Sequence, residues 1–334
     1  MSSLKPVSVI IYIKNNAEHL LKQLPYILNQ KYKNFEVLLV NHGNYDQSME
    51  QIYKIQQKHT EIKIINVENK EGFWNNKKYA LTLGIKASSN DYILLSDVYS
   101  KPSSSLWINE FMASFCDKKT FVLGYRQIDV KQNVFCSLFI RFINVLMGLK
   151  LFAFAYFGNA YKAYRENFAF SKKQFFEVKG FANHLNITSN ESDLFLKDAS
   201  NKKNTAVLLS PNSFVVKQKQ ISLKQFVYYL KKELSLYKYY TLKTKILLFA
   251  FNFSKILFYA LAAFIIYINL KLGLTVIVCY FLLQYILISR AFIRLKESKL
   301  LYFLPFLDVF YAFFIFLTFV LNTILNSAVS KSRL

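Results

Sequence analysis

Residues 91–102 read DYILLSDVYSKP. A short apolar run ends on Ser96 and Asp97, and Pro102 closes the stretch a few residues later. That pattern predicts a buried strand delivering an acid to its carboxyl end. Upstream, Val7–Ile13, Phe35–Val40 and Ile62–Val67 have the same Val/Ile/Leu-rich character, and Asp91–Leu95 makes a fourth such run. Between them, 17–30, 45–59 and 75–87 have helical spacing, with Leu20, Leu21 and Leu24 marking one inward face. Strands alternating with helices predict an α/β domain with a mostly parallel sheet covered on both faces. Ligands of such sheets bind beyond the carboxyl ends of the strands. Lys14–Asn16, Asn41–Asn44 and Asp97–Ser100 are therefore expected at one edge.

The chain has 334 residues, 53% hydrophobic and 17% aromatic, with 8 Gly and 5 Pro, a composition that excludes a disordered or linker-rich polypeptide. Its net charge of +23 admits nucleic acid, anionic lipid or phosphorylated substrates as partners. No helix-turn-helix, zinc or RNA-binding signature accompanies the charge, so nucleic acid is not expected, and a lipid headgroup surface is. Cys116, Cys136 and Cys279 have no metal-type spacing, which argues against a disulfide framework or zinc site. The Asn-x-Ser/Thr sequons at Asn186, Asn190 and Asn252 are read as chance matches in an Asn-rich chain. Ser8–Ile13 is too short for a secretory apolar core, so no cleaved signal is expected and the α/β half should stay where it is made.

The second half of the chain is apolar. The stretches 245–268, 272–289 and 300–325 are each long enough to cross about 30 Å of hydrocarbon. This predicts an α/β domain over 1–240 followed by three transmembrane helices within 245–325. Pro305 and Asp308 mark a kink or a polar contact inside the bundle. Arg290, Arg294, Lys296 and Lys299 with the single acid Glu297 place the loop after the second crossing in the cytoplasm. The predicted location is a multi-pass cytoplasmic membrane protein with its α/β domain on the cytoplasmic side. The apolar stretch 135–157 carries Arg141 and Lys150 and is expected to lie in the interface with its cations reaching for headgroups. A buried core helix is the alternative.

Taken together, SVIIYIKNN (8–16), FEVLLVNHGNYD (35–46), KKYALTLGIKASSNDYILLSDVYSKPSS (77–104) and KQFFEVKGFANHLNITSNESDLFLKD (173–198) resemble a family-2 glycosyltransferase. The resemblance implies a GT-A fold, a nucleotide-sugar donor and an acceptor that is lipid-linked or a polysaccharide. Such chemistry needs loops holding the nucleotide, positive charge on the leaving diphosphate and a carboxylate for the acceptor proton. By resemblance, Tyr12, Lys14, Asn15, Asn41, His42, Lys77 and Asp97 line the donor site. Glu191 falls at the general base, with Asp193 as a second acid, and Asn167 falls on the acceptor side.

The departures from the family pattern are acidic ones. Asn16 stands where a glutamate is usual, Asn41 and His42 where an Asp-Asp pair is usual, while Asp46 matches a later acid. His42 is read as an exposed loop histidine rather than a catalytic one. In the D-x-D motif Asp97 keeps the first acid, and Tyr99 occupies the place of the second, metal-coordinating one. A neutral phenol is a poor ligand for Mg²⁺ or Mn²⁺, so a divalent cation is implied by the family but weakly supported here. Lys101 is the candidate to supply charge instead. Tyr229 and Lys232 stand where relatives close the site with Gln and Arg, and an amphipathic connector is the other reading of 226–240. The joint neutralisation leaves open a second class of function: a catalytically inactive scaffold or regulator of a partner membrane enzyme.

Overall fold

The computed structural model describes residues 5–43, 47–68, 76–130, 134–185, 187, 191–218 and 222–331, apart from the side chains of 76, 223, 229, 232–235 and 319–331. By its internal contacts the chain divides into two units, 1–131 with 146–221 and 132–145 with 222–334. The stretch 222–240, read from sequence with the first domain, is grouped with the second unit.

The first unit is built on a seven-stranded sheet. Its parallel half comprises β1 (Val7–Ile13), β2 (Phe35–His42), β3 (Ile62–Val67) and β4 (Tyr92–Asp97), with β1 between β2 and β4. These strands are the expected ones, and β4 runs two residues beyond its apolar core so that Asp97 ends it. The intervening helices are α1 (Ala17–Leu28), α2 (Gln47–Gln56) and α3 (Asn76–Ala87). Ala17, Leu20, Leu24 and Ile27 of α1 fall at the 3-and-4 spacing that buries one helix face, and all join the core with Val9, Ile11, Val37 and Leu39. Gly84 of α3 lets that helix lie close on the sheet, because a Cβ there would come within 2.5 Å of the Val40 side chain.

Downstream of Asp97 the topology changes. A second, three-stranded sheet joins β5 (Ser100–Pro102), β7 (Arg126–Ile128) and β10 (Val215–Lys217), with β10 in the middle. The main sheet continues through β8 (Phe168–Ser171), antiparallel to β4, then β6 (Phe121–Leu123) and β9 (Thr205–Val207). Helices α4 (Trp107–Ser114), α6 (Lys172–Glu177) and α7 (Glu191–Ala199) cover this half. The mixed direction was not read from the sequence, because strands of three or four residues carry too little alternation to stand out.

Asn167 braces this half from inside. It is fully buried; its side-chain oxygen accepts from Trp107 Nε1 at 2.8 Å, and its amide donates to the carbonyls of Tyr125 and Ser213 at 2.8 and 2.9 Å. Gly124 packs so near that a Cβ would collide with the same amide. The acceptor-side position expected for Asn167 is thus corrected: a completely enclosed amide with its bonds spent on the fold has nothing to offer an acceptor.

The second unit is helical. After α8 (Leu223–Ser235) come α9 (Leu242–Ile268), α10 (Leu270–Arg294) and α11 (Leu304–Lys331). Asn269 alone separates α9 from α10 and caps the latter, its Oδ1 accepting from Leu272 N at 3.0 Å. With α5 (Val134–Tyr156), four helices among the described residues are long and apolar enough to cross a membrane, a property that indicates membrane association. In α5, 61% of the apolar window is buried within the protein, against 6% in α9 and in α10. Phe135 and Phe139 of α5 meet Phe310 edge-on, and Arg141 pairs with Glu297 rather than reaching for headgroups. Glu297 is buried, and a buried carboxylate depends on such a cation to replace its hydration.

Asp308 is the polar centre of the bundle. It is fully buried, paired with Lys255, and accepts from Tyr259, Tyr280 and Gln284 at 2.7, 3.0 and 3.0 Å. Every lone pair is used, which is how an ion pair survives out of water.

Two outcomes follow. Asn167→Ala removes the acceptor of the Trp107 indole and one donor from each of the Tyr125 and Ser213 carbonyls, and is expected to cost on the order of 3 kcal/mol, read as a lower unfolding temperature of the detergent-solubilised chain by tryptophan emission; an unchanged transition would show that the brace is dispensable. Lys255→Met strands a buried carboxylate and should cost about 3 kcal/mol or more, whereas Lys255→Met with Asp308→Leu should recover most of the loss. A double variant no better than the single one would contradict that assignment.

Candidate functional site

The carboxyl ends of β1, β2 and β4 form one edge. In the strand register Tyr12 lies opposite Asp97 and Ile13 opposite Asn41, which brings three distant loops together as expected from the alternating pattern. The exposed turn after β1 holds Lys14 and Asn15, and Asn15 has a left-handed φ of 53°, a conformation that Asn tolerates better than most residues. His42 is buried, not an exposed loop residue: its Nδ1 lies 2.7 Å from the Tyr12 hydroxyl. Asn41 is also buried, and its amide donates to Asn66 at 2.8 Å, so a nucleoside-binding position is occupied by a bond between adjacent strands. Asp46 lies outside the described residues, as do the side chains of Tyr229 and Lys232.

Asp97 is held from both sides. Its Oδ1 accepts from the Tyr99 N–H at 2.9 Å and from the Ser100 hydroxyl at 2.6 Å. Its Oδ2 faces Lys217 at 3.3 Å and Arg165 at 3.7 Å. Lys217 reaches it because β10 pairs with β5 and sets Lys217 opposite Ser100. Arg165 belongs to a short 3₁₀ turn, Arg165–Asn167, just before β8, whose Phe168 lies opposite Leu95. Successive residues of such a turn diverge by about 120°. Three consecutive side chains therefore take three tasks: Arg165 meets Asp97 and Glu191, Glu166 meets Arg126 and Lys217, and Asn167 braces the interior.

Glu191 opens α7, where a helix N-terminus favours an acid. It is buried, 2.5 Å from Lys77 and 3.1 Å from Arg165. One guanidinium thus bridges Asp97 and Glu191, the two acids expected on the donor and base sides. Asp193 does not join them. Two residues along the helix, it accepts from the Ala163 N–H at 2.9 Å and lies 4.0 Å from Lys162, so it fastens the 162–163 segment to α7. Burial pushes the Tyr12 hydroxyl up to about 12, Arg165 opposing and Glu191 reinforcing the rise, so the phenol keeps its proton near neutrality. Burial alone would lower Lys217, yet Asp97 and Glu166 outweigh it and raise the ammonium above its usual range. Burial would likewise raise Glu166, but Lys217, Arg126 and Arg165 hold it well below. Lys78 is lowered by burial, with Glu191 opposing, and its ammonium is capped by the carbonyls of His184 and Ile187.

Sequence reasoning passed over Arg165, Glu166, Arg126 and Lys217. Arg165 and Glu166 sit in GNAYKAYRENFAFSK (158–172), where adjacent opposite charges in a segment otherwise ending in apolar β8 were the available signal. Nothing in sequence marked Lys217, whose place depends on the second sheet. Lys101, the candidate substitute cation, instead lies over the Tyr26 ring at 3.7 Å.

These residues do not fit a divalent cation. Such an ion needs several hard oxygen ligands, and no group of three His, Cys, Asp or Glu able to hold one occurs among the described residues. The Tyr99 ring packs against His19, centroids 4.7 Å apart. Any ion at Asp97 Oδ2 would also stand beside Lys217 and Arg165. Unit charges about 4 Å apart at an effective dielectric near 20 interact by about 4 kcal/mol, and a doubly charged ion feels twice that from each cation.

The chain is 30% identical over 91 residues to the glycosyltransferase GlyG of Streptococcus pneumoniae, spanning 27% of this chain and 29% of that one. It is 30% identical over 97 residues to the poly-beta-1,6-N-acetyl-D-glucosamine synthase of Staphylococcus aureus, spanning 29% of this chain and 22% of that one. In fold it is similar to a mannosyltransferase from Pyrobaculum calidifontis solved with GDP-Man and Mn²⁺, at a TM-score of 0.50 and 14% identity over 69% of this chain and 61% of that one. The model of glycosyl transferase family 2 matches residues 8–182, which is more than half of the 334, and the chain belongs to that family.

Proposed function

We propose that this protein is a membrane-anchored glycosyltransferase that moves a sugar from a nucleotide-sugar donor to a lipid-linked or polysaccharide acceptor. The observation that carries the reading is the Arg165 bridge, which sets Asp97 and Glu191 on either side of one guanidinium at the ligand-binding edge of the sheet. Asp97 and Tyr12 are the donor-side residues, Lys14 and Asn15 border them from the exposed turn, and Asn41 and His42 floor the nucleoside end. Glu191 is the base. As the acceptor oxygen bonds to the anomeric carbon, the bond from that carbon to the diphosphate oxygen breaks with its electron pair. The acceptor proton passes to a Glu191 oxygen, and Lys77 and Arg165 hold that carboxylate in place. Lys77 thereby serves the base as well as the donor pocket.

The four apolar helices anchor this activity at a membrane. By the positive-inside rule, Arg290, Arg294, Lys296 and Lys299 support a cytoplasmic loop there and a cytoplasmic transferase unit. We assign α5 to the interface, its aromatic face covered by protein.

A scaffold role is the second reading. What favours it is that Glu191 and Asp97 are both ion-paired within the chain, with Asn16, Asn41, His42 and Tyr99 at positions usually acidic. Titration of the purified protein in detergent with UDP- and GDP-sugars separates the two, UDP-N-acetylglucosamine being the first probe because of the synthase relative. Binding of one of these donors is expected, and Glu191→Ala should lower turnover by about 10²–10⁴ in protein that remains folded and still binds donor. A variant that turns over like the parent would remove Glu191 from the chemistry. Silence from the whole donor panel would leave the scaffold.

A further inference from the structure

We infer that the diphosphate of the donor is received in this protein by Arg165 and Lys217, without a metal ion, and that Asp97 is the positioning residue that holds those two cations. The inference rests on the donor-binding reading above and deepens it.

The family frame places an acid-bound cation where the leaving group develops charge. Here the acid that remains has both oxygens engaged. Oδ1 is locked by the Tyr99 N–H and the Ser100 hydroxyl, and Oδ2 faces Lys217 and Arg165. The position of a second ligand is filled by Tyr99, whose ring is spent on His19. Positive charge has been supplied by other means. Lys77, Lys78, Arg126, Arg165 and Lys217 outnumber Asp97, Glu166 and Glu191 around the same edge. The surplus is positive, which suits a dianionic ligand. Arg165 offers a planar fork that can bind phosphate oxygens in pairs, and Lys217 a compact point charge. Both are side chains already ordered by ion pairs, so their geometry is set before a ligand arrives. On departure of the nucleoside diphosphate, its new negative charge is met by these two groups, and no further reactant is needed.

The test is calorimetric titration of the full-length protein in detergent with UDP, and in parallel with UMP, in EDTA and in Mn²⁺. The parent is expected to bind UDP with the same affinity in both conditions. Lys217→Gln and Arg165→Gln should each weaken UDP about tenfold while leaving UMP nearly unchanged, a split that general loosening of the fold would not produce. Asp97→Asn should weaken UDP by about threefold, equally in EDTA and in Mn²⁺, because Arg165 and Lys217 lose the residue that positions them, whereas loss of a metal ligand would weaken binding in Mn²⁺ alone. Should the Gln variants fail to fold, Lys217→Arg and the EDTA comparison on the parent decide. UDP binding that appears only with Mn²⁺, or equal losses for UDP and UMP, overturns this inference and leaves the donor reading standing. No nucleotide binding in either condition overturns both.

Discussion

Two buried carboxylates, Asp97 and Glu191, are brought to the same guanidinium, and the architecture around the sheet edge surrounds both with cations. A carboxylate removed from water is expensive unless cations and hydrogen-bond donors replace its hydration. Arg165 serves both, Lys77 adds to Glu191, and Lys217 adds to Asp97 while also meeting Glu166. The cluster is a lattice rather than a set of pairs. The 3₁₀ turn that carries Arg165 is fastened by the residue two places on, since Asn167 ties it to Trp107, Tyr125 and Ser213. Charge placement and core bracing are therefore consequences of one local backbone geometry.

The same solution recurs in the helical unit with different parts. Asp308 and Glu297 are buried acids, each neutralised by a cation from another helix, Lys255 in one case and Arg141 in the other. Apolar helices have little to tell one partner from another, because every face is compatible with lipid or with its neighbour. A single buried ion pair with its hydrogen bonds complete gives such helices a preferred register. The phenols of Tyr259 and Tyr280 finish the coordination of Asp308, so the aromatic richness of the chain is partly a supply of donors.

For a member of glycosyl transferase family 2, the distinctive point is where the positive charge comes from. Carboxylates are scarce at the positions that usually hold them, and cations are dense. Reading Asn41, His42 and Tyr99 as losses describes only half of the change. The structure pairs those neutral residues with Asn66, Tyr12 and His19, and Arg165 and Lys217 stand against Asp97.

What the amino-acid sequence determined unaided was local or periodic: strands at 7–13, 35–40, 62–67 and 91–95 from buried Val/Ile/Leu runs, two of which the structure carries on to His42 and Asp97, three long apolar helices, and one edge shared by the loops that begin at Lys14, Asn41 and Asp97, because parallel strands must all end at one edge. Glu191 was singled out through its surrounding motif, and in the structure it shares the Arg165 guanidinium with Asp97. Only the tertiary structure decided the partners. Lys217 reaches Asp97 across 120 residues through the register of a three-stranded sheet too short to show alternation, and Arg165 does so through a turn. The enclosure of Asn167 and His42 likewise depended on what packed over them. Charge pairing between distant segments leaves no periodic trace in a sequence, since any Lys or Arg satisfies composition and just one satisfies geometry.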